Sequence, residues 1–317
     1  MSYPDGAVSR ITNDLTEYGA TSFSLTADDS TIATLTSDDS SKIWLATPGD
    51  FQGRPRRLTN GKHDGQNGID WTPDGRIVYI ARDGPARDIW IVNADGAGQK
   101  QLTQNDHIEA DLRVSADGRT VVFVSAPPGG LQHLWRIEID GSNLKQLTDG
   151  NFVDFFPFWS PDGQWIFFSS WRTGSARLWK MPAAGGAAEQ VTDLPFTGQR
   201  FAGSKLIFGA YFDEQGNPAR WRYALVDAET RQVVKTFDST AGADWFGMLD
   251  ERTLVYAQTK EDIGNIWIRS LDGGEPKQLT NFDSDRIYFY AASRDGKQFA
   301  VSRGVSNANI ILIKDFR

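Results

Sequence analysis

Residues 155–192 read FFPFWSPDGQWIFFSSWRTGSARLWKMPAAGGAAEQVT. An apolar stretch runs into Ser160-Pro161-Asp162-Gly163, a tight-turn sequence: Pro presets the second position and Gly accepts the positive φ that other residues resist. The next run, WIFFSS (165–170), is almost continuously apolar, as a strand buried on both faces must be. RLWKM (177–181) alternates, with Trp179 opposite Leu178 and Lys180, and a Gly-Gly turn at 185–186 leads to Gln190-Val191-Thr192. The segment therefore reads as four short antiparallel strands.

The pattern recurs along the chain. Segments ending in Thr12, Thr59, Thr103, Thr148, Thr192 and Thr280 share an aliphatic-Thr ending, and the period is about 45 residues with one degenerate copy near Lys235-Thr236. An aliphatic-Trp pair recurs at Ile43-Trp44, Ile89-Trp90, Leu134-Trp135, Leu178-Trp179 and Ile266-Trp267. The Asp-Gly turn recurs at 72–75, 115–118, 160–163 and 293–296, with weaker copies at 27–30, 202–205 and 249–252. Four strands per unit with apolar inner strands predict an all-β protein, a β-propeller of four-stranded antiparallel blades. Seven units of about 45 residues nearly exhaust the 317-residue chain, which predicts seven blades in a single domain over 1–317. Ala7–Thr12 is expected to close the ring as the outer strand of the last blade, whose third strand would be 309–314. Closure removes an edge that invites aggregation.

Composition narrows the function. Lys and Arg number 33 against 41 Asp and Glu, a net charge of −8, which argues against a surface that tracks nucleic-acid phosphates. No apolar window is long enough for a membrane helix, so direct membrane insertion is not expected. The absence of cysteine excludes disulfides and thiolate catalysis, and three histidines leave little for metal ligation. No hydrolase elbow, zinc-protease motif or P-loop is present; Gly61-Lys62 is followed by His63. His63, His107 and His133 read as ordinary surface residues, and no metal or cofactor is expected. Asp28-Asp29 reads as a degenerate turn and Asp38-Asp39 as part of a loop between strands, neither with the ligand spacing of a calcium loop.

The SPDG, DIW and QLT elements at this spacing resemble the TolB-type propeller repeat over essentially the whole chain. The closing stretch from Leu271 to Phe316 is similar to the C-terminal propellers of bacterial multidomain serine/threonine kinases and winged-helix regulators. TolB itself departs from this pattern, since its family has a six-bladed ring and an extra α/β domain. The resemblance implies a sensor or interaction module, periplasmic or extracytoplasmic if it belongs to a membrane-anchored parent and cytoplasmic otherwise. It is specific for fold rather than function.

Ligand contacts are expected on the face carrying the variable loops, because binding residues concentrate on loops held by a rigid scaffold. Counting back from the Asp-Gly turns places Gln66, Glu109 and Asp154 at equivalent rim positions, with Asp111 and Phe156 two residues deeper and Asp244 at the same deeper level. Arg200, Trp245, Tyr288 and Tyr290 come from the less regular half, and Trp171-Arg172 is an aromatic-cationic pair in a loop on that face. Such a mouth suits a sugar, a peptide or a cationic small molecule. The repeated tryptophans are packing positions. The expected function is a monomeric, non-enzymatic binding propeller recognising a protein, peptide or small-molecule ligand. The alternatives are a lyase or glycosidase using channel carboxylates and a pure interaction scaffold.

Overall fold

The computed structural model describes residues 18–28, 30–50, 55–84, 86–213, 220–238 and 243–314, and these are all-β, with no helix among them. They fall into two compact units, 1–40 with 305–317, and 41–304. The strands are β1 (Tyr18–Leu25), β2 (Thr31–Ala46), β3 (Arg56–Arg57), then β4 (His63–Trp71), β5 (Arg76–Asp83), β6 (Ala86–Asn93) and β7 (Lys100–Gln101). Next come β8 (Ile108–Val114), β9 (Thr120–Ala126), β10 (His133–Glu138) and β11 (Lys145–Gln146), followed by β12 (Asp154–Trp159), β13 (Trp165–Ser170), β14 (Arg177–Pro182) and β15 (Glu189–Gln190). The remainder are β16 (Phe196–Ala202), β17 (Leu206–Asp213), β18 (Arg220–Asp227), β19 (Val233–Phe237), β20 (Ala243–Met248), β21 (Thr253–Lys260), β22 (Ile263–Ser270), β23 (Lys277–Gln278), β24 (Arg286–Ala292) and β25 (Phe299–Lys314).

In the larger unit the strands group in antiparallel fours. β12–β15, β16–β19 and β20–β23 are separate four-stranded sheets. β4–β7 and β8–β11 repeat the arrangement, and lone parallel bridges, Ser41↔His63 and Arg87↔Ile108, fuse them with their neighbours into a 13-stranded sheet. A sixth four is drawn from both ends of the chain: β24 pairs β25, β25 neighbours β2, and β2 pairs β3. Ala46 of β2 clusters there with Phe299 and Val301 of β25.

Among the described residues six such fours occur, where the repeat period anticipates seven. The difference lies in β25. Residues 309–314, expected as a third-type strand, continue β25 past Gly304, and β2 takes the third-strand place beside β25. Residues 7–12, expected to close the ring, lie outside the described residues. In the smaller unit β1 pairs the first half of β2, Leu25 opposite Ile32, and the Ser306 hydroxyl donates to Asp39 at 2.7 Å. Asp38-Asp39 thus falls inside β2 and not in a loop.

The repeated residues hold each four together. The Thr of the outer strand accepts the backbone N–H of the aliphatic residue before Trp: Ile43 to Thr59 at 3.0 Å, Ile89 to Thr103 at 2.8 Å, Leu134 to Thr148 at 2.9 Å and Ile266 to Thr280 at 2.9 Å. These threonines reach a donor that the two-residue outer strand would leave unpaired, and a buried unpaired N–H costs about 1–3 kcal/mol. In the turns, Ser115, Ser160 and Ser293 donate to the Asp two positions on and accept the N–H that opens the next strand. Those hydroxyl bonds come first among the reasons that Asp117, Asp162 and Asp295 have carboxyls below the usual range. The second strands are deeply buried: after its first residue every position of β9 and of β13 is buried.

Candidate functional site

Each first strand carries a β-bulge. Pairing skips between Asp64 and Ile69 in β4, Ala110 and Arg113 in β8, Phe155 and Phe158 in β12, Gly198 and Arg200 in β16, Asp244 and Phe246 in β20, and Ile287 and Phe289 in β24. A bulge re-aims side chains and commonly neighbours functional sites. At two of these, Asp111 (φ 56°) and Phe156 (φ 51°) adopt the left-handed region. Asp tolerates that region through its short polar side chain, whereas for Phe it is strained. The paired residues on either side of Phe156 hold it there.

Asp111, Phe156, Arg200 and Tyr290, four of the residues anticipated from sequence, meet in one small cavity of about 60 Å³ together with Arg113 and Phe246. The Phe156 N–H points to the Asp111 carboxylate at 3.4 Å, and burial pushes that carboxyl up to about 6 against the pull of Arg113. The Tyr290 hydroxyl donates to the Val255 carbonyl at 2.9 Å, and burial raises its pKa. Toward the Asp-Gly turns the space widens to a cavity of about 550 Å³ to which all six first strands contribute, through Asp70, Arg113, Phe158, Arg200, Met248 and Ala292. Arg294, in the last Asp-Gly turn, lies at its mouth. This opening is at the turn end of the strands, opposite the loop face that the sequence favoured.

The loop-face residues are largely engaged. Glu109 is buried, accepting from Thr103 at 2.8 Å and Asn105 at 3.3 Å, and burial pushes its carboxyl up to about 8. Asp154 is buried and paired to Arg172 at 3.1 Å, with His133 Nδ1 3.7 Å from its other oxygen. Arg172 also lies over the rings of Phe152 and Trp179, both at 4.6 Å. Trp171 of that loop is half exposed. Gln66 is not level with Glu109 and Asp154. Four residues of β4 go unpaired at its bulge against two in β8 and β12, so Asp64, opposite Ala81, takes the place of Glu109 opposite Ser125 and Asp154 opposite Ser170. Asp64 is buried, and burial raises its carboxyl pKa. Tyr288 sits within the bulge of β24, outside both cavities. Asp244 pairs with Ala257 through the backbone, and Trp245 lies in the bulge of β20; the side chains of both are outside the described set.

The histidines are not surface residues. His63 is buried, His107 Nδ1 bonds the Ser125 hydroxyl at 2.9 Å, and His133 packs edge-on against Phe152. Among the described residues no three His, Asp or Glu side chains gather in a metal-binding group.

Sequence reading missed Asp70, Arg113 and Arg294. The signal was present: Asp70, Arg113 and Arg200 each stand two residues before an Asp-Gly turn or its weak copy, and Arg294 occupies the turn's second position, where Pro73 and Pro161 stand in other copies.

The TolB beta propeller domain family matches residues 113–209. The fold is a TolB-like β-propeller. Solved structures agree: a protein assigned as TolB from Agrobacterium tumefaciens superposes with a TM-score of 0.64 at 16% identity, covering 84% of this chain and 99% of that one. TolB from Acinetobacter baumannii gives 0.59 at 16% identity over 86% of this chain, which spans 66% of that protein's length. A nidogen/laminin complex gives 0.57 at 10% identity, covering 76% of this chain and 94% of the other. The propeller also resembles folds in a puromycin hydrolase and an oligogalacturonate lyase, so the likeness carries no activity with it. Comparison with curated protein sequences finds no match.

Proposed function

We propose that the chain is a non-enzymatic binding propeller that recognises a protein or peptide partner at the turn-side mouth of its channel. The observation that carries this is the cavity of about 550 Å³ to which every first strand contributes a residue two or fewer positions before its turn. That volume suits a few residues of an extended segment. Its polar groups are held by backbone bonds: Asp70 accepts the N–H groups of Trp71 and Val114, both at 2.8 Å, and the Arg200 guanidinium donates to the Met248 carbonyl at 3.0 Å. A site fixed in advance loses little entropy when it is filled. The likeness to a propeller solved in a nidogen/laminin complex favours a protein partner. The resemblance to the C-terminal propellers of membrane-anchored kinases and winged-helix regulators favours a sensor role outside the cytoplasm.

Ala116 provides the test. It is exposed at the second position of its turn and lines the cavity, and other copies place Pro or Arg there. Ala116→Trp should leave the unfolding midpoint unchanged while abolishing thermal stabilisation by peptides that bind the wild type. Peptide binding that survives the plug would move the site elsewhere. Turnover of an oligosaccharide that the plug abolishes would replace binding with catalysis.

A further inference from the structure

Three guanidinium groups converge on the turn-side cavity, and among the described residues none is ion-paired to a carboxylate. Arg113 donates to Leu112 O at 2.7 Å, Arg200 to Met248 O at 3.0 Å, and Arg294 to the carbonyls of Trp71, Val114 and Ser115. Among the described residues none of the three belongs to an ion pair. The Nε of Arg113 is buried with no acceptor at all. Each guanidinium has five N–H donors in a rigid fork, so most of this capacity is unused.

The carboxylates nearby are bonded to other groups, although Asp70 and Asp111 attract Arg200 and Arg113 from a distance. Asp70 is occupied by two backbone N–H groups, and Asp295 takes the Ser293 hydroxyl and the Lys297 N–H. Asp111 shares the small cavity with Arg113 and Arg200 and feels the pull of Arg113, but it takes the Phe156 N–H and, among the described residues, forms an ion pair with neither arginine. The arginines also act on one another: burial first, and Arg113 next, hold the Arg200 guanidinium below its usual pKa. A cluster of like charges, partly desolvated and short of acceptors, is stabilised by an arriving anion. The walls between the charges are apolar, formed by Phe158, Phe201, Met248 and Leu249. A small inorganic anion would leave that apolar surface uncovered, whereas a peptide segment presenting a carboxylate beside an apolar side chain covers both.

Resting on the binding reading above, we propose that the ligand is an acidic, apolar peptide segment of a partner protein. One of its carboxylates sits between Arg113 and Arg200, with Arg294 closing the mouth. Planar guanidinium groups suit this because they can take a carboxylate through paired N–H···O bonds. The whole chain carries a net charge of −8, so the attraction is local to the cavity and not a property of the surface at large.

The test titrates the full chain with a set of capped tetrapeptides that carry Glu or Gln at each position and Phe, Leu or Ser elsewhere. Citrate serves as the free-acid control, and binding is followed by calorimetry and by tryptophan emission, to which Trp159 in the cavity wall contributes. A Glu peptide should bind at least about tenfold more tightly than its Gln counterpart, about 1.4 kcal/mol. Arg113→Met should erase that preference. Arg294→Gln, which keeps an amide donor toward the carbonyls that Arg294 bonds, should reduce it, with the unfolding midpoint of each variant measured alongside. Equal binding of Glu and Gln peptides would overturn the carboxylate assignment while leaving a peptide site. Citrate binding as tightly as the best peptide would overturn the peptide assignment in favour of a small organic acid. No binding by any probe would remove the binding reading itself.

Discussion

The two ends of the first strands treat their ionisable groups in opposite ways. At their beginnings Asp64, Glu109 and Asp154 are buried carboxylates, each with a partner in a nearby loop: the Gly61 N–H at 2.8 Å, the Thr103 hydroxyl at 2.8 Å, and Arg172 at 3.1 Å. Near their ends Arg113 and Arg200 face open space, with Arg294 in the turn beyond, and they bond only to carbonyl oxygens. Polar groups that are buried and partnered hold loops in place. Polar groups that are clustered, aligned and under-partnered hold something else. The same strands thus carry a structural end and a receptive end.

The largest effect is expected at Arg172. Asp154 is inaccessible to solvent, and removal of one member of a buried ion pair costs about 3–5 kcal/mol because the other charge is left uncompensated. Arg172→Ala should lower the unfolding free energy by about that amount, less a part for the guanidinium's own slight exposure, and equilibrium denaturation measures it. A loss under about 1 kcal/mol would mean that the acidic end is hydrated and available, and the contrast between the ends would collapse.

Which features could be read before the fold was known follows from how each is encoded. The aliphatic-Trp and aliphatic-Thr series mark a single hydrogen bond, such as Ile89 N–H to Thr103, repeated with every unit, so they are visible as spacing. The Asp-Gly turns are equally local. Gln66 was misplaced because counting back from Thr72 assumes equal bulges, and β4 holds two more unpaired residues than β8 or β12. A bulge adds residues without any composition of its own. The joining of the chain ends was hidden for a similar reason: 309–314 has the alternation of a third strand, but nothing local shows that β25 continues through it. Arg113 and Arg294 cannot be singled out from sequence, because only their convergence with Arg200 on one cavity gives them meaning.

Glu109 sharpens the acidic end through pH. Burial raises its carboxyl to about 8 in the folded chain from an ordinary value near 4.5. The folded state therefore holds a proton there that the unfolded state releases between those values, so its contribution makes stability fall as pH rises from about 4.5 to about 8. Asp64, also raised by burial, acts in the same sense. Glu109→Gln should flatten the profile of unfolding free energy against pH over that window, gaining on the wild type as pH rises. Parallel profiles would show Glu109 ionised in the fold, with the acidic end as solvated as the other.

The smallest effect expected is at the receptive end, and its direction matters more than its size. Arg113→Met removes one of three mutually repelling charges and keeps the apolar stem that packs in the channel. If the arginines were structural, the loss of the bond to Leu112 O would dominate and stability would fall by about 1–3 kcal/mol. If they are held ready for an anion, relief of repulsion and of the acceptorless Nε outweighs that bond, and stability should rise by up to about 1 kcal/mol, as when a binding site is relieved of its strain. Sulfate separates the two readings once more. It stabilises most proteins through exclusion from the surface, so the variant sets the baseline, and any extra rise in unfolding midpoint in the wild type reports an anion in the cavity. Denaturation at low salt, with and without sulfate, thus asks whether the guanidinium groups build the propeller or wait at its mouth.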